Sequence, residues 1–489
     1  MNQFIDIDAA ACERARTARD RRFDGRFFVG VRTTGIYCRP ICPANLPKKE
    51  NVCFFPSAAA ASEAGFRPCL RCRPECAPGT PAWAGTSTTV ERGLRLIAHG
   101  ALDEDNIERL ADRLGVTSRH LRRLFAKHVG ASPLAVAHTQ RLHFAKRLID
   151  QTALPMKDVA VAAGFGSVRR FNDAFRNSYG RSPRELRKGS RDAANRQSLS
   201  LLLPYRQPYG WRELLAFLDA RAIPGVERVA DGAYQRTIEA GPSRGVIDVR
   251  DVGGSLALTV HGIATDSLFT VAQRVRGLFD VDAPIEDIAD VLGRDRHLQR
   301  WLNRYPGLRV PGAWSGWELA VRAILGQQVS VKAARTLAGR LVEKYGECID
   351  SGRADDVPHR LFPAPARLQR ARIETLGVVR SRAQAIRDLA RAVLGGDVRF
   401  DATRSPGDFR AALTAVRGIG TWTAEYVAMR ALKDPDAFPA ADLGLLRAFD
   451  SAAGRRLQPR DLEARAARWR PWRAYAALLI WNSDSGGGG

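Results

Sequence analysis

The sequence lacks any run of about 20 apolar residues, the length that a helix needs to cross a bilayer. Its first residues, MNQFIDIDAAACERARTARD, carry too many charges for a secretory signal. Cysteine is almost absent downstream, because seven of the eight cysteines precede residue 77. This distribution argues against a disulfide framework and predicts a local site in a reducing compartment. We therefore expect a soluble cytoplasmic protein.

Acidic residues are too few to balance the basic ones. Asp and Glu total 52 against 76 Lys and Arg, which leaves a formal net charge of +24 over 489 residues. A surplus of this size, spread along the whole chain, favours a polyanionic partner such as nucleic acid. The alternative explanation is a genome-wide preference for arginine and alanine. At roughly 100–200 residues per domain, the length allows three or four domains.

Polar and glycine-rich stretches divide the sequence into four parts. The linkers are residues 78–89, 188–200 and 309–316, and SDSGGGG ends the chain. Residues 90–187 and 317–481 have helical periodicity. Residues 205–308 instead alternate in the manner of a small antiparallel sheet with flanking helices. The predicted fold class is multidomain, mainly α with α+β parts.

Two short-spaced cysteine pairs lie in TTGIYCRPICP (33–43) and RPCLRC. Their members are Cys38, Cys42, Cys69 and Cys72. A C-x3-C pair followed by a C-x2-C pair has the spacing of a tetrahedral thiolate site, and zinc suits four soft thiolates best. Cys53 and Cys76 are rival ligands, since Cys76 also follows Cys72 at ligand spacing. The sequence predicts one Zn²⁺ per chain.

Residues 28–74 resemble the N-terminal domain of the Ada-type alkylation-response proteins along their whole length. The resemblance implies that Cys38 accepts a methyl group from a methylated DNA phosphate, while the other three cysteines complete the zinc site. Zinc keeps a thiolate deprotonated at neutral pH and leaves it nucleophilic. The basic neighbours that could dock the DNA backbone are Arg32, Arg39, Lys48 and Lys49. The alternative is a purely structural zinc with an inert Cys38.

One segment of the Ada-type proteins is missing from this sequence. Those proteins often continue into an O6-alkylguanine methyltransferase with a Pro-Cys-His-Arg acceptor. The tetrapeptide does not occur here, and Cys348 has a different context. We expect no repair of O6-methylguanine by this chain.

Residues 90–187 contain two helix–turn–helix patterns, with turns at Gly115 and at Gly164. Arg and Asn pair with guanine and adenine edges in the major groove. The predicted DNA-contacting residues on the second helices are Arg119, Arg122, Arg123, Arg169, Arg170 and Asn172. A helical bundle with solvated basic faces is the alternative for either pattern alone. AGFGSVRRFNDAFRNSYGRSPRELR resembles the DNA-binding domain of AraC-type regulators, which implies a reader of two adjacent major-groove segments.

VRGIGTWTAEYVAMRAL (416–432) contains Gly418 and Gly420, which permit a tight hairpin whose open N–H groups can bind a DNA phosphate. Asp442 follows Trp422 by twenty residues. An ionised carboxylate beside a sugar stabilises the oxocarbenium-like transition state of N-glycosidic cleavage. The alternative role of Asp442 is to cap the helix that begins at Leu443.

Residues 203–481 resemble the helix–hairpin–helix DNA glycosylases and look like 3-methyladenine DNA glycosylase II of the AlkA type. The resemblance implies a monofunctional N-glycosylase with Asp442 as its catalytic residue. By position in the motifs, the aromatic base pocket consists of Phe217, Trp422, Tyr426 and Trp481. Trp422 occupies the place of the Schiff-base lysine of lyase members. Gln328 occupies the place of the leucine that fills the gap left by a flipped base.

The resemblances give each of the four parts a role. The predicted domains are an Ada-type zinc-binding methyl-acceptor domain (1–78), an AraC-type helix–turn–helix domain (88–188), an AlkA-type N-terminal α+β domain (201–310) and an all-α helix–hairpin–helix glycosylase domain (311–483). We predict a bifunctional protein of the DNA alkylation-damage response. It would take methyl groups from methylphosphotriesters, activate repair genes, and excise alkylated purines such as 3-methyladenine.

The same assignments predict the partners of the chain. We expect double-stranded DNA, both at damaged sites and at promoters, and RNA polymerase is a candidate protein partner. The expected state is a monomer associated with the nucleoid, without a membrane partner. The alternative function is a transcriptional regulator whose C-terminal half binds damaged DNA without excising a base.

Overall fold

A computed structural model describes residues 8–78, 88–98, 100–102, 106–187, 198–349, 358–401, 403–449 and 457–485. These residues cluster into two compact units. The first contains the chain up to Arg206 with Ala240–Ser243 and Val252–Gln273, and the second contains Gln207–Glu239, Arg244–Asp251 and the chain from Arg274 onwards. Among the helices of the described residues, none has the length and apolar character of a transmembrane span.

A small mixed sheet organises the cysteine-rich part of the first unit. Its elements are α1 (Ala9–Ala18), β1 (Phe28–Val31), β2 (Ile36–Cys38), β3 (Val52–Phe55), α2 (Ala58–Glu63) and β4 (Arg67–Pro68). The strand order is β3–β1–β2–β4, with β4 parallel to β2 and the other pairs antiparallel. Successive residues of β1 face opposite sides, so Val29 packs with Cys12 of α1 while Phe28 packs with Tyr37.

The helix–turn–helix region is helical, as predicted. Its elements are α3 (Thr88–Ala98), α4 (Ile107–Leu114), α5 (Ser118–Val129), α6 (Pro133–Gln151), α7 (Met156–Ala162), α8 (Val168–Tyr179) and α9 (Pro183–Leu186). Gly115 and Gly164 have φ of +72° and +74°, the left-handed conformation that glycine adopts at least cost. The two predicted turns are therefore where the sequence placed them, and α6 joins the two motifs.

Helix α6 also packs against the cysteine-rich part within the first unit. The Tyr37 hydroxyl lies 3.0 Å from Nε2 of His143, and burial lowers the pKa of that imidazole to about 3, so the ring is neutral. Lys146 pairs with Asp150 at 2.5 Å and lies 3.8 Å from the buried carboxylate of Glu75. The cysteine-rich sheet and the helix–turn–helix region thus share a polar, largely buried boundary.

The predicted antiparallel strands of residues 205–308 are present. The first unit holds β5 (Ser198–Pro204) and β9 (Ser255–His261), which pair antiparallel, and the second holds β6 (Glu227–Ala230) with most of β7 (Ala233–Ala240) and β8 (Ser243–Asp251). In the second unit, β7 lies between β6 and β8. The linker predicted at 188–200 ends too late, because β5 already begins at Ser198 and its SLSLLLP sequence continues the alternation.

The second unit is otherwise helical, with one short ladder formed by β10 (Glu347–Cys348) and β11 (Arg360–Leu361). Its helices are α10 (Trp211–Asp219), α11 (Leu268–Leu278, whose first residues belong to the first unit), α12 (Ile285–Leu292), α13 (Arg296–Arg304), α14 (Gly316–Leu325), α15 (Val331–Tyr345), α16 (Pro365–Leu368), α17 (Arg380–Leu394), α18 (Pro406–Thr414), α19 (Thr421–Ala431), α20 (Leu443–Arg447), α21 (Pro459–Ala466) and α22 (Arg473–Ser485). Helix α14 is buried along most of its length and forms the centre of this unit.

A buried ion network connects α14 to the strands of the second unit. Arg236 contacts Glu318 at 2.8 Å, and Arg322 contacts Glu227 at 2.8 Å and Glu318 at 3.1 Å. The Arg236 and Glu318 side chains are only 3% and 5% exposed. Two cations and two anions neutralise one another here, so loss of one member leaves an uncompensated buried charge.

We expect Glu318→Ala to lower the free energy of unfolding by about 3–5 kcal/mol, because Arg236 and Arg322 then share the single carboxylate of Glu227 and one positive charge stays uncompensated. Glu347→Ala is the matched control, since Glu347 pairs with Arg244 on the surface and its loss should cost less than about 1 kcal/mol. Guanidinium denaturation followed by tryptophan fluorescence measures both. Equal losses in the two variants would contradict the expectation.

Candidate active site and metal centre

The structure brings together Cys38, Cys42, Cys69 and Cys72. Their sulfur atoms all lie within 4.8 Å of one another. A tetrahedron of sulfurs at the usual Zn–S distance of about 2.3 Å has edges of about 3.8 Å. The cluster therefore fits a single zinc ion. The rival ligands Cys53 and Cys76 are not part of it, and the Cys53 sulfur instead lies 3.5 Å from the Gly30 carbonyl.

Strand pairing explains why the two cysteine pairs meet. Cys38 ends β2, and Cys69 directly follows β4, the strand that runs parallel to β2. The Cys69 N–H donates to the Tyr37 carbonyl at 3.0 Å, which extends this pairing to the ligands. A tight turn follows Cys38 and another follows Cys69. These turns bring Cys42 and Cys72 back beside the first cysteine of each pair.

The four cysteines differ in their exposure. Cys69 and Cys72 are buried, whereas Cys38 and Cys42 are half-buried. The Cys72 sulfur also accepts the Arg39 main-chain N–H at 3.3 Å. An electrophile from solvent therefore has easier access to Cys38 and Cys42 than to the two buried cysteines.

One predicted phosphate-docking residue has a different position. Arg39 forms an ion pair with Asp24, donates to the Cys72 carbonyl at 3.1 Å, and is only 14% exposed. Its guanidinium braces the metal loop, so little of it is free to contact a phosphate. The other three candidates, Arg32, Lys48 and Lys49, are exposed.

The second helices of both helix–turn–helix motifs present the predicted arginines. Thr117 and Ser167 cap these helices by accepting main-chain N–H groups at 3.2 Å each. The exposed residues are Arg119, Arg122, Arg123, Arg169 and Arg170, whereas Asn172 is half-buried. The ion pair of Arg169 with Asp173 spans 4.0 Å in solvent and restrains the side chain little.

A cavity of about 430 Å³ in the second unit gathers the predicted pocket residues. Its wall includes Phe217 of α10, Trp422 and Tyr426 of α19, Trp481 of α22 and Asp442 at the start of α20. The Trp422 and Tyr426 rings are stacked, with centroids 5.4 Å apart and planes 6° from parallel. The Trp481 ring lies 6.2 Å from Tyr426 at 59°.

The Asp442 carboxylate accepts hydrogen bonds from two directions. As the N-cap of α20 it accepts the main-chain N–H groups of Gly444 at 2.9 Å and Leu445 at 3.1 Å. It also accepts the indole N–H groups of Trp422 at 2.8 Å and Trp481 at 2.9 Å. Asp442 therefore does cap helix α20, as the alternative role predicted. The same carboxylate also lies at the cavity wall.

Gln328 and the hairpin glycines lie outside this cavity. Gln328 is exposed in the connection from α14 to α15, and its φ of +54° is unusual for a residue with a side chain. Gly418 has φ of +87°, and a Cβ there would lie 2.9 Å from the Cβ of Ala385. Gly420 is the exposed N-cap of α19 and leaves the first N–H groups of that helix without a side-chain cap.

Four family models match successive parts of the chain: the metal binding domain of Ada (11–75), a helix-turn-helix domain (110–189), the AlkA N-terminal domain (200–315) and the HhH-GPD superfamily base excision DNA repair protein (321–474). A probable bifunctional transcriptional activator/DNA repair enzyme AlkA of Mycobacterium tuberculosis is 43% identical over 483 residues, which cover 97% of this chain and 96% of that protein. The chain therefore belongs to the family of bifunctional transcriptional activator/DNA repair enzymes of the AlkA type.

Two further likenesses concern the second half of this family member. DNA-3-methyladenine glycosylase 2 of Escherichia coli is 35% identical over 295 residues, covering 58% of this chain and 96% of that protein. The solved 3-methyladenine DNA-glycosylase from Archaeoglobus fulgidus matches with a TM-score of 0.51 at 20% identity, over 59% of this chain and 98% of that one. The latter likeness shows the glycosylase fold.

The sequence-based prediction missed the arginines of the cavity wall. They are Arg221, Arg322, Arg335 and Arg430. Arg430 follows Tyr426, and Arg221 follows Phe217, by one helical turn, a spacing that could have identified both. The Arg221 guanidinium lies 3.8 Å from the Phe217 ring centroid, and Arg430 donates to the Tyr426 hydroxyl at 2.7 Å.

These arginines set the electrostatics of Tyr426. Burial alone would raise the pKa of the Tyr426 hydroxyl, but the charges of Arg430 and Arg221 outweigh it and hold the pKa below its usual value. Burial lowers the pKa of Arg221. The cavity thus combines aromatic faces, one carboxylate and guanidinium groups. The sequence motifs predicted the aromatic residues and the carboxylate but not the guanidinium groups.

We expect one zinc per chain in the wild-type protein and its loss in Cys69→Ala, because three thiolates cannot complete the tetrahedral site. Cys53→Ala is the control and should keep its zinc, since Cys53 lies outside the cluster. Elemental analysis after gel filtration measures the stoichiometry. Zinc retained by Cys69→Ala and lost by Cys53→Ala would show that the ligand set is different.

Proposed function

We propose that this family member excises alkylated purines from DNA at the cavity of the second unit and accepts methyl groups from DNA methylphosphotriesters at Cys38. The observation that carries the first activity is the Asp442 carboxylate at the wall of an aromatic cavity. Zinc bound by the four cysteines would supply deprotonated thiolates for the second activity. RNA polymerase contact and a monomeric state belong to the same proposal and rest on the resemblance to regulators.

In the proposed excision, the flipped purine enters between the aromatic rings of the cavity. N-alkylation gives the base a positive charge, which favours contact with electron-rich ring faces such as those of Trp422 and Tyr426. The bond from the sugar C1′ to the base nitrogen breaks, and the base leaves with the bonding electrons. The Asp442 carboxylate stabilises the positive charge that develops on the sugar, and water then adds to C1′ and releases one proton to solvent, which leaves a hydroxyl on C1′.

The DNA backbone would be held beside the cavity by the hairpin. The main-chain N–H groups after Gly420 are uncapped by any side chain and can donate to a phosphate without sequence preference. In this arrangement Gln328 enters the gap left by the extruded nucleotide. Its amide is long enough to fill that gap and can hydrogen-bond the orphaned base.

Asp442→Asn should abolish most base release while leaving the fold intact. Asparagine caps a helix about as well as aspartate, so α20 keeps its start, while the negative charge and the oxygen that accepts the Trp422 indole N–H are lost. We expect release of free base from methylated duplex DNA to fall by roughly 100-fold or more. Chromatographic detection of the free base, together with a DNA-binding measurement, separates lost chemistry from lost affinity.

Asp295→Asn is the matched control for Asp442→Asn. Asp295 also caps a helix, by accepting the His297 N–H at 2.9 Å, and also accepts an indole N–H, that of Trp469 at 3.0 Å, but it does not line the cavity. This variant should release base at the wild-type rate. No release even by the wild-type protein would favour the alternative function, a regulator whose C-terminal half binds damaged DNA without excision.

In the proposed methyl transfer, the Cys38 thiolate attacks the methyl carbon of a phosphotriester. The carbon–oxygen bond breaks, its electrons stay on the phosphate oxygen, and an ordinary phosphodiester anion is restored. Cys38 becomes a methyl thioether, so the residue reacts once. The resemblance to the Ada-type proteins implies Cys38 as the nucleophile, and its half-buried position, in contrast to the buried Cys69 and Cys72, supports this assignment.

Methylation would also change the charge that the first unit presents to DNA. Four thiolates around Zn²⁺ carry a net charge of about −2, and conversion of one to a thioether leaves about −1. Repulsion from the DNA backbone is thereby halved, while the exposed arginines of α5 and α8 are unchanged. This change would couple damage detection to promoter binding by the helix–turn–helix region.

We expect the wild-type protein to gain the mass of one methyl group on the peptide containing Cys38 after incubation with methylphosphotriester DNA. Cys38→Ser should gain none, because a hydroxyl is a far weaker nucleophile than a thiolate. Cys53→Ser, altered at a half-buried cysteine outside the cluster, is the control and should be methylated normally. Peptide mass spectrometry measures the modification, and an unmodified wild-type peptide would mean that the zinc site is structural only.

A further inference from the structure

The side chain of Gln327 joins two parts of the second unit that are distant in sequence. Gln327 lies between α14 and α15, directly before Gln328. Its Nε2 donates to the Gly418 carbonyl at 3.0 Å and to the Thr423 hydroxyl at 3.2 Å. One amide group therefore connects the α14–α15 loop to both the hairpin and helix α19.

Both partners of Gln327 are held rigidly. Gly418 has φ of +87° and packs so closely on α17 that a Cβ would lie 2.9 Å from Ala385. Thr423 is only 2% exposed and directly follows Trp422, which lines the cavity. The amide of Gln327 thus contacts fixed points beside the proposed phosphate site and beside the proposed base pocket.

The loop that carries Gln328 is anchored at both sides. On one side is the Gln327 amide, and on the other Ser330 caps α15 by accepting the Ala333 N–H at 3.2 Å. Between them the exposed Gln328 has φ of +54°, a left-handed conformation that is unfavourable for an L-residue other than glycine. A strained backbone of this kind persists only where its surroundings hold it in place.

We propose that Gln327 is a positioning residue for base extrusion: it fixes the loop of Gln328 against the hairpin. Its two hydrogen bonds set the spacing between the inserted side chain, the phosphate held at the hairpin and the pocket that receives the base. The inference rests on the proposed glycosylase function and adds a residue that acts before the glycosidic bond breaks. Gln327 does not contact the sugar C1′ or the base nitrogen, which in the proposed reaction lie beside Asp442.

This role predicts a dependence on base pairing. Extrusion of a paired lesion must overcome stacking and pairing, whereas a lesion opposite an abasic site has no partner to lose. A misplaced Gln328 loop should therefore slow excision of the paired lesion much more than excision of the unpaired one. A general weakening of the fold or of the chemistry would slow both substrates alike.

The experiment compares Gln327→Ala, Gln327→Glu and the control Gln369→Ala in excision of a stable alkylated purine from the two duplexes. Glutamate has no N–H to donate and would face the Gly418 carbonyl with a negative charge, so it should not rescue the alanine variant. The control removes an amide that, among the residues the structure describes, donates to the Ala366 carbonyl in its own turn, at 3.2 Å. We expect a loss of roughly tenfold on the paired lesion and less than about threefold opposite the abasic site for both Gln327 variants.

A second measurement needs no excision. In the Asp442→Asn background, 2-aminopurine beside the lesion reports unstacking by its fluorescence, and Gln327→Ala should reduce that signal for the paired duplex. Equal losses of excision on both duplexes, or an unchanged fluorescence signal, would overturn the proposal. A wild-type protein that releases no base from either duplex would instead overturn the proposed function, and the fluorescence result would still decide the role of Gln327.

Discussion

The second half of this protein depends on one carboxylate that serves two purposes. Asp442 starts helix α20 through two main-chain N–H groups and orients Trp422 and Trp481 through their indole N–H groups. Because the same oxygens do both, the position of the negative charge is fixed by the backbone and by the walls of the cavity together. Such preorganisation is what electrostatic stabilisation of a cationic transition state requires.

The basic residues of the chain differ in whether they pair inside the protein or face solvent. A net charge of +24 would attract DNA anywhere, yet several buried and half-buried arginines pair with internal carboxylates: Arg39 with Asp24, and Arg236 and Arg322 with two glutamates. The arginines of α5 and α8 remain exposed. The arginines of α5 and α8 can therefore contact DNA, and the geometry of those helices can give such contacts specificity.

Short-range patterns carried most of what could be predicted from the sequence. Cysteine spacing predicted the four sulfurs that the structure brings together, because strand ends and tight turns bring close cysteines to one point, and the aromatic residues that line the cavity were predicted from their position in motifs. The errors concern partners distant in sequence. Nothing near Arg39 indicates that Asp24 binds it, and the link from Gln327 to Gly418 spans 91 residues. The start of β5 was missed because a polar linker precedes it.

The packing of α6 on the cysteine-rich sheet determines how the first unit can be divided. A fragment beginning at α3 would keep both helix–turn–helix motifs. It would lose the contact of Tyr37 with His143 and the ion pair of Glu75 with Lys146. Polar groups that are now covered would face solvent on the one helix that joins the two motifs. The metal-binding segment and the helix–turn–helix region therefore form one packed unit, and only a fragment that contains both keeps these contacts of α6.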